Sequence, residues 1–213
     1  MKKILFLLVL LPIMVIGQTQ TENYISEKLI LATGSNPKIW EMLQTFGHAV
    51  VNPVPSLFTF NIKDPRIKEL PGVSAIVSVK IKDTKLTSTG PLLITHWGMS
   101  GPAILKLSAW GARILFEKNY QFTIFVNWLN DVETDDAEKI LKELKQENAK
   151  KAVSKKSPFD FPNRLWESLV LASNIQEETK WADLSKIQLQ NLANQLTNSC
   201  FEVNGKSTFK EEF

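Results

Sequence analysis

The sequence predicts an α+β fold in which a small antiparallel β-rich domain is followed by a helical domain. Three observations carry this. Residues 53–130 alternate short apolar, β-branched and aromatic runs with Pro, Gly and Asp breaks. Residues 131–200 place leucines at helical spacing behind recognisable caps, and from residue 201 the pattern turns β-like again. With 213 residues, 44% of them hydrophobic, the chain can fill one core or two small ones, which excludes disorder throughout.

In chain order, Met1-Lys2-Lys3 precedes an apolar stretch, Ile4 to Ile16, and then Gly17-Gln18. A positive start, a short apolar stretch and small residues make residues 1–20 signal-like. The stretch is shorter than the roughly 20 residues of a comfortable membrane span, so no stable span is expected. From Tyr24 to Thr33 the pattern suits a strand ending on Ala32-Thr33-Gly34, small residues that let a backbone approach a ligand. A helix follows at once, with Asn36 as N-cap, Pro37 as first residue, Trp40 and Leu43 on one face and Gly47 as the stop.

Asn52-Pro53-Val54-Pro55 is a stiff connector, after which strands are expected over Leu57–Ile62, Ser74–Ile81 and Leu86–Thr95, forming a small sheet or barrel. The run Gly90 to Leu105 is the centre of interest. Pro91 to Thr95 suits a strand, and Pro102 suits a first helical turn that continues to Trp110 and Gly111. Between them, His96 and Ser100 stand among Gly98 and Gly101, so polar side chains meet free N–H groups at a helix start. On spacing alone, an ordinary tight strand-to-helix turn with His96 hydrogen-bonded nearby is the preferred reading of the run.

A strand is expected over Gln121–Trp128 and an amphipathic helix over Asp135–Lys151, with Ala137, Ile140, Leu141 and Leu144 inward and charges solvated outward. Lys150 to Pro158 reads as a basic loop. Phe159-Asp160-Phe161-Pro162 introduces a second helix with Leu165, Trp166, Leu169 and Val170 inward. Ser185 with Gln188 is a capping box for a third.

Composition excludes several chemistries. One cysteine, Cys200, allows no intrachain disulfide, and two histidines with one cysteine leave no zinc site, so no metal is expected. Lys plus Arg is 25 against 22 for Asp plus Glu, and Lys2 and Lys3 account for two of the three net positive charges. So small a balance argues against a dedicated nucleic-acid surface. Ser100 does not form a hydrolase elbow, because Pro102 replaces the second glycine of Gly-x-Ser-x-Gly and no histidine follows His96.

The ordered series Leu31-Ala32-Thr33-Gly34-Ser35, Gly47-His48, Pro55-Ser56-Leu57, Leu70-Pro71-Gly72-Val73-Ser74, Thr95 to Leu105 and Val203-Asn204-Gly205-Lys206 resembles the BaiN/RdsA-type NAD(P)/FAD-dependent oxidoreductases, which include aminoacetone oxidase-like flavoproteins. The resemblance covers about residues 24–213. It implies an α+β fragment: a short piece of a Rossmann-like FAD domain over 21–52, a β-rich insert over 53–130, a helical insert over 131–200, and a truncated return toward the FAD domain over 201–213. It further implies FAD as cofactor with NAD(P)H as donor and a small-molecule substrate. Thr33, Gly34, Gly98 and Gly101 would then contact the cofactor, with His96 and Ser100 on the substrate side as catalytic residues. The family opens with a Gly-x-Gly-x-x-Gly turn, which does not occur here, so flanking segments are expected as partners and a non-catalytic binding or assembly module is the alternative. The family implies a cytoplasmic protein, whereas a working signal at 1–17 would export it.

Overall fold

The structure is a computed structural model and describes residues 25–207; the signal-like stretch 1–20 and the end of the tail, 208–213, lie outside the described residues. The chain divides into two units, residues 1–51 and 52–213.

In the first unit the helix forms where the caps place it. α1 spans Pro37–Thr45, with the Asn36 side chain accepting from the Lys38 N–H, and Gly47 follows in a left-handed turn at φ +83°. The expected strand does not form over its described residues. Residues 25–33 are without ladder partners, and Ile25, Leu29 and Ile30 are exposed. A buried parallel strand needs neighbours for its backbone groups, and residues 25–51 supply none.

The second unit is built on a closed six-stranded antiparallel barrel. Its strands are β1 Thr59–Ile62, β2 Ser74–Ile81, β3 Thr87–Ile94, β4 Gly98–Ser100, β5 Gln121–Asn127 and β6 Ser199–Ser207, in the order β1-β4-β3-β2-β5-β6 with β6 returning to β1. Alternation puts Val77, Val79 and Ile81 of β2, Ile124 and Val126 of β5, and Phe201 and Val203 of β6 in the core. Each such side chain contributes about 1.5–3 kcal/mol on burial. Residues from 201 onward, read as a return toward another domain, therefore form most of the strand that closes the barrel, as far as Ser207. Their β pattern is satisfied by two flanking strands, β1 and β5.

α2, Pro102–Trp110, packs on β3 with Ala103, Ile104 and Leu107 buried. Ser108 Oγ accepts the Phe58 N–H at 3.0 Å and donates to Leu105 O, tying the helix to the entry of β1. Gly111 ends α2 as expected, and a short α3, Ala112–Glu117, follows.

The helices between β5 and β6 are α4 Thr134–Glu147, α5 Asn163–Ala172 and α6 Lys186–Thr197. Leu141, Leu165, Trp166, Leu169, Leu192 and Leu196 fill their core, and Trp166 stacks on Trp181 with centroids 6.2 Å apart. The capping box at Ser185 is present, its hydroxyl accepting the Gln188 N–H while Gln188 Oε1 accepts the Ser185 N–H. α6 lies against β5 and β6. The Trp128 N–H donates to Leu196 O at 2.8 Å, and the Trp128 indole N–H donates to Ser199 Oγ at 3.1 Å.

Candidate functional site

The run from Gly90 to Leu105 holds one more element than its sequence suggests. After β3 the chain reverses through a two-residue hairpin at His96-Trp97, closed by the Thr95 N–H to Gly98 O (2.8 Å) and the Gly98 N–H to Thr95 O (3.3 Å). It then runs back as β4, with Ile94 opposite Met99 and Leu93 opposite Ser100, before Gly101 starts α2. A three-residue strand has too short a pattern to be read from spacing.

Both glycines are accounted for by this geometry. Gly98 has φ +147°, and a Cβ there would stand 2.1 Å from Phe60 O and 2.5 Å from Ile62 N. Gly101 has φ +90°, with Leu93 N at 2.9 Å from such a Cβ and Pro91 O at 3.0 Å. Two barrel strands approach at these points, and only a residue without a side chain lets them.

Ser100 is buried, and its hydroxyl accepts from Thr59 Oγ1 at 3.0 Å across the β1–β4 neighbourhood. His96 is exposed at the hairpin tip. The pair is therefore divided between the barrel interior and the surface. Thr33 and Gly34 belong to the first unit, and a Cβ at Gly34 would meet nothing within 4 Å.

What lies beside His96 is a cleft of about 400 Å³ between the hairpin tip and the segment after β1. Its walls include Ile62, Pro65 and Ile67, and its rim carries Lys63, Lys68 and Thr95. Trp97, half-exposed, stands next to His96 on the same tip, its N–H donating to Thr95 Oγ1 at 3.3 Å. The cleft thus brings Lys63, Asp64 and Lys68, on the segment after β1, beside the turn that carries His96 and Trp97. Lys63, Lys68 and Trp97 were not singled out by the sequence, where Asp64-Pro65 reads only as a strand break. The alternation Lys63-x-x-Arg66-x-Lys68 around that proline is the available signal.

The floor of this segment is rigid. Arg66 donates to both oxygens of Asp64 (2.9 and 2.7 Å), to Gln195 Oε1 at 2.8 Å and to Cys200 O, and its guanidinium lies 4.0 Å from the Phe201 ring centroid. Burial would raise the Asp64 carboxyl, but hydrogen bonds from the Arg66 side chain and backbone, with the Arg66 charge, hold it below the usual carboxylate value. Ser168 on α5 donates to Arg66 O at 2.6 Å, and Arg164 to Glu69 O, so barrel and helices share this segment.

At Gly98, Gly101 and Ser100 there is no room for a flavin. The space at Gly98 and Gly101 is occupied by barrel backbone, Ser100 is committed inside, and Gly101 O already accepts the N–H groups of Ile104 and Leu105 at the start of α2. Among the described residues no group of three His, Cys, Asp or Glu could hold a metal ion, and no helix is long and apolar enough to cross a membrane.

A comparison with known proteins matches residues 54–213 to the HI0933-like protein barrel and H2TH domain. A ribosomal RNA dihydrouridine synthase of Haemophilus influenzae is 26% identical over 203 residues, covering 91% of this chain and 48% of that protein. One of Escherichia coli is 26% identical over 194 residues, covering 86% of this chain and 46% of that protein. The chain spans about half the length of the curated relatives it matches. The match takes in the barrel and the helices between β5 and β6, and the chain belongs to the HI0933-like family, that of the BaiN/RdsA-type flavoproteins.

Proposed function

We propose that residues 54–213 are the substrate-facing part of an FAD-dependent oxidoreductase acting on ribosomal RNA. The flavin would be held away from the hairpin, since Gly98, Gly101 and Ser100 leave it no room. The observation that carries the reading is the hairpin tip: Trp97 and His96 on a fixed turn, with Lys63 and Lys68 across a small cleft. An indole on a rigid turn is a platform for an unstacked base, and lysines at the rim suit the adjoining phosphates. The names of the two relatives point to the same substrate.

This departs from the expectation of no nucleic acid, which rested on net charge. Net charge averages over the molecule, whereas backbone contact depends on where the cations stand. Stacking on one aromatic side chain is worth about 1–3 kcal/mol per base. Trp97→Ala should therefore weaken binding of ribosomal RNA roughly 5- to 150-fold in a fluorescence-anisotropy titration. Unchanged affinity would remove the hairpin tip from the reading.

A non-catalytic RNA-binding or assembly module is the second reading, favoured by the closed packing at Gly98, Gly101 and Ser100. Replacing the matching region of the Escherichia coli relative with residues 54–213 separates the two. Dihydrouridine formed in ribosomal RNA by the chimera supports the enzyme; RNA binding without dihydrouridine supports the module.

A further inference from the structure

The helices carry a second surface that the hairpin tip does not explain. Between residues 142 and 156 there are six lysines against two glutamates, a local excess hidden by the near-neutral total. The structure gathers part of it around a groove of about 540 Å³ between α4 and the entry of α6. Lys142 and Lys145 line it from α4 and Lys186 from α6, while Ala149 and Ala182 are small side chains that leave it open; no carboxylate lines it.

Backbone pairing extends the charge along one edge. The Ala182 N–H donates to Ala149 O at 3.0 Å and the Trp181 N–H to Lys151 O at 3.0 Å, with Ala152 bridged to Lys180. Lys150 and Lys151, both exposed, therefore follow directly from the groove, and Lys180 adjoins them. The groove has a fixed width, because Lys145 Nζ donates to Leu184 O and so pins α4 to the α6 entry. Lys142 is paired with Glu138 at 2.7 Å, the lysine half-exposed and the carboxylate 16% exposed, and Lys186 also feels that carboxylate. A phosphate must therefore compete with Glu138 for these two lysines, while Lys150, Lys151 and Lys180 lie beyond it. Asp183 also stands near, at the end of the Trp181–Asp183 turn, and is exposed.

We infer that this lysine-lined groove binds the phosphodiester backbone of the RNA substrate, positioning it while the hairpin tip engages a base. The inference rests on the RNA reading above. Phosphate contacts of this kind fix register and carry no sequence information, which suits a row of flexible lysine point charges. Each neutralised phosphate steepens the salt dependence of binding, by about 0.7–0.9 in the slope of log K against log salt.

The test uses the full 213-residue chain, protein-free ribosomal RNA and a fluorescein-labelled RNA hairpin. The variant is Lys142→Gln, Lys150→Gln, Lys151→Gln and Lys186→Gln combined; Lys145 is left intact because it holds Leu184 O. The same four positions changed to Arg keep the charge and control for folding, alongside circular dichroism. The expected result is a loss of at least tenfold in affinity for both RNAs and a slope flatter by roughly 3, with the Arg set close to the parent chain. Unchanged affinity and slope in the Gln set overturn the groove while leaving the hairpin reading intact. Failure of the parent chain to bind either RNA overturns both. Equal loss in the Gln and Arg sets, with folding retained, overturns the groove as a charge-based site.

Discussion

Gly98→Ala separates a glycine needed by the barrel from one needed by a ligand. The new Cβ would lie 2.1 Å from Phe60 O, more than 1 Å inside the usual carbon–oxygen contact of about 3.3–3.6 Å. The obstacle is backbone of β1, which cannot rotate away, so β4 and β1 must part. The φ of +147° adds strain of about 1–3 kcal/mol for any side chain. Parting the strands loosens the Ile62 N–H to Trp97 O bond, 2.9 Å long, and each buried group left unpaired costs about 1–3 kcal/mol. The sum, about 2–6 kcal/mol, reaches the lower end of a typical domain's whole stability. Gly90→Ala is the matched control: its φ is +149°, yet its Cβ would meet nothing closer than Ala103 N at 3.9 Å, so only the strain applies. In urea unfolding followed by circular dichroism, Gly98→Ala should lose about 2 kcal/mol or more beyond Gly90→Ala. Equal losses in the two variants would refute the close-approach argument and return Gly98 to the candidate ligand contacts.

Two further outcomes follow from the Arg66 network. Arg66→Lys should cost about 1–3 kcal/mol in thermal or urea unfolding, because an ammonium reproduces neither the fork on Asp64 nor the flat contact with Phe201; parent-like stability would show the network to be incidental. The lowered Asp64 pKa gives a contribution to stability that is present above the unfolded value of about 3.9 and is lost as pH falls through the folded value. The stability gap between the parent chain and Asp64→Asn should thus be full at pH 6 and shrink below about pH 4. A gap that stays constant with pH would contradict the pairing.

The local signals in the sequence were sufficient for most elements. Asn36, Pro102 with Gly111, and Ser185 with Gln188 each satisfy backbone groups within a few residues of themselves, so α1, α2 and α6 start or end where those residues stand. The alternation of β2 depends only on one buried face and was legible for the same reason. What escaped the sequence depends on partners far along the chain. Nothing near Ser199–Ser207 says that it pairs with β1 and β5, and nothing near Gly98 says that Phe60 passes beside it. At the candidate site, His96 was legible as an unusual residue in an unusual run, but Lys63 and Lys68 join it only through the pairing of β1 with β4.

β5 and β6 are neighbours in the barrel, with Val126 opposite Ser199, although the whole helical region lies between them in sequence. Neighbouring antiparallel strands need only a turn of two to five residues, so the helices occupy the place of an ordinary hairpin loop. Their two ends meet where the Trp128 N–H reaches Leu196 O. The entropic cost of closing such an excursion grows only with the logarithm of its length. The helical excursion is thus free to change in length and surface charge where it does not touch the barrel, provided Arg164, Ser168 and Gln195 keep their bonds to the segment after β1. The lysine groove on α4 and the α6 entry could therefore diverge independently of the hairpin tip.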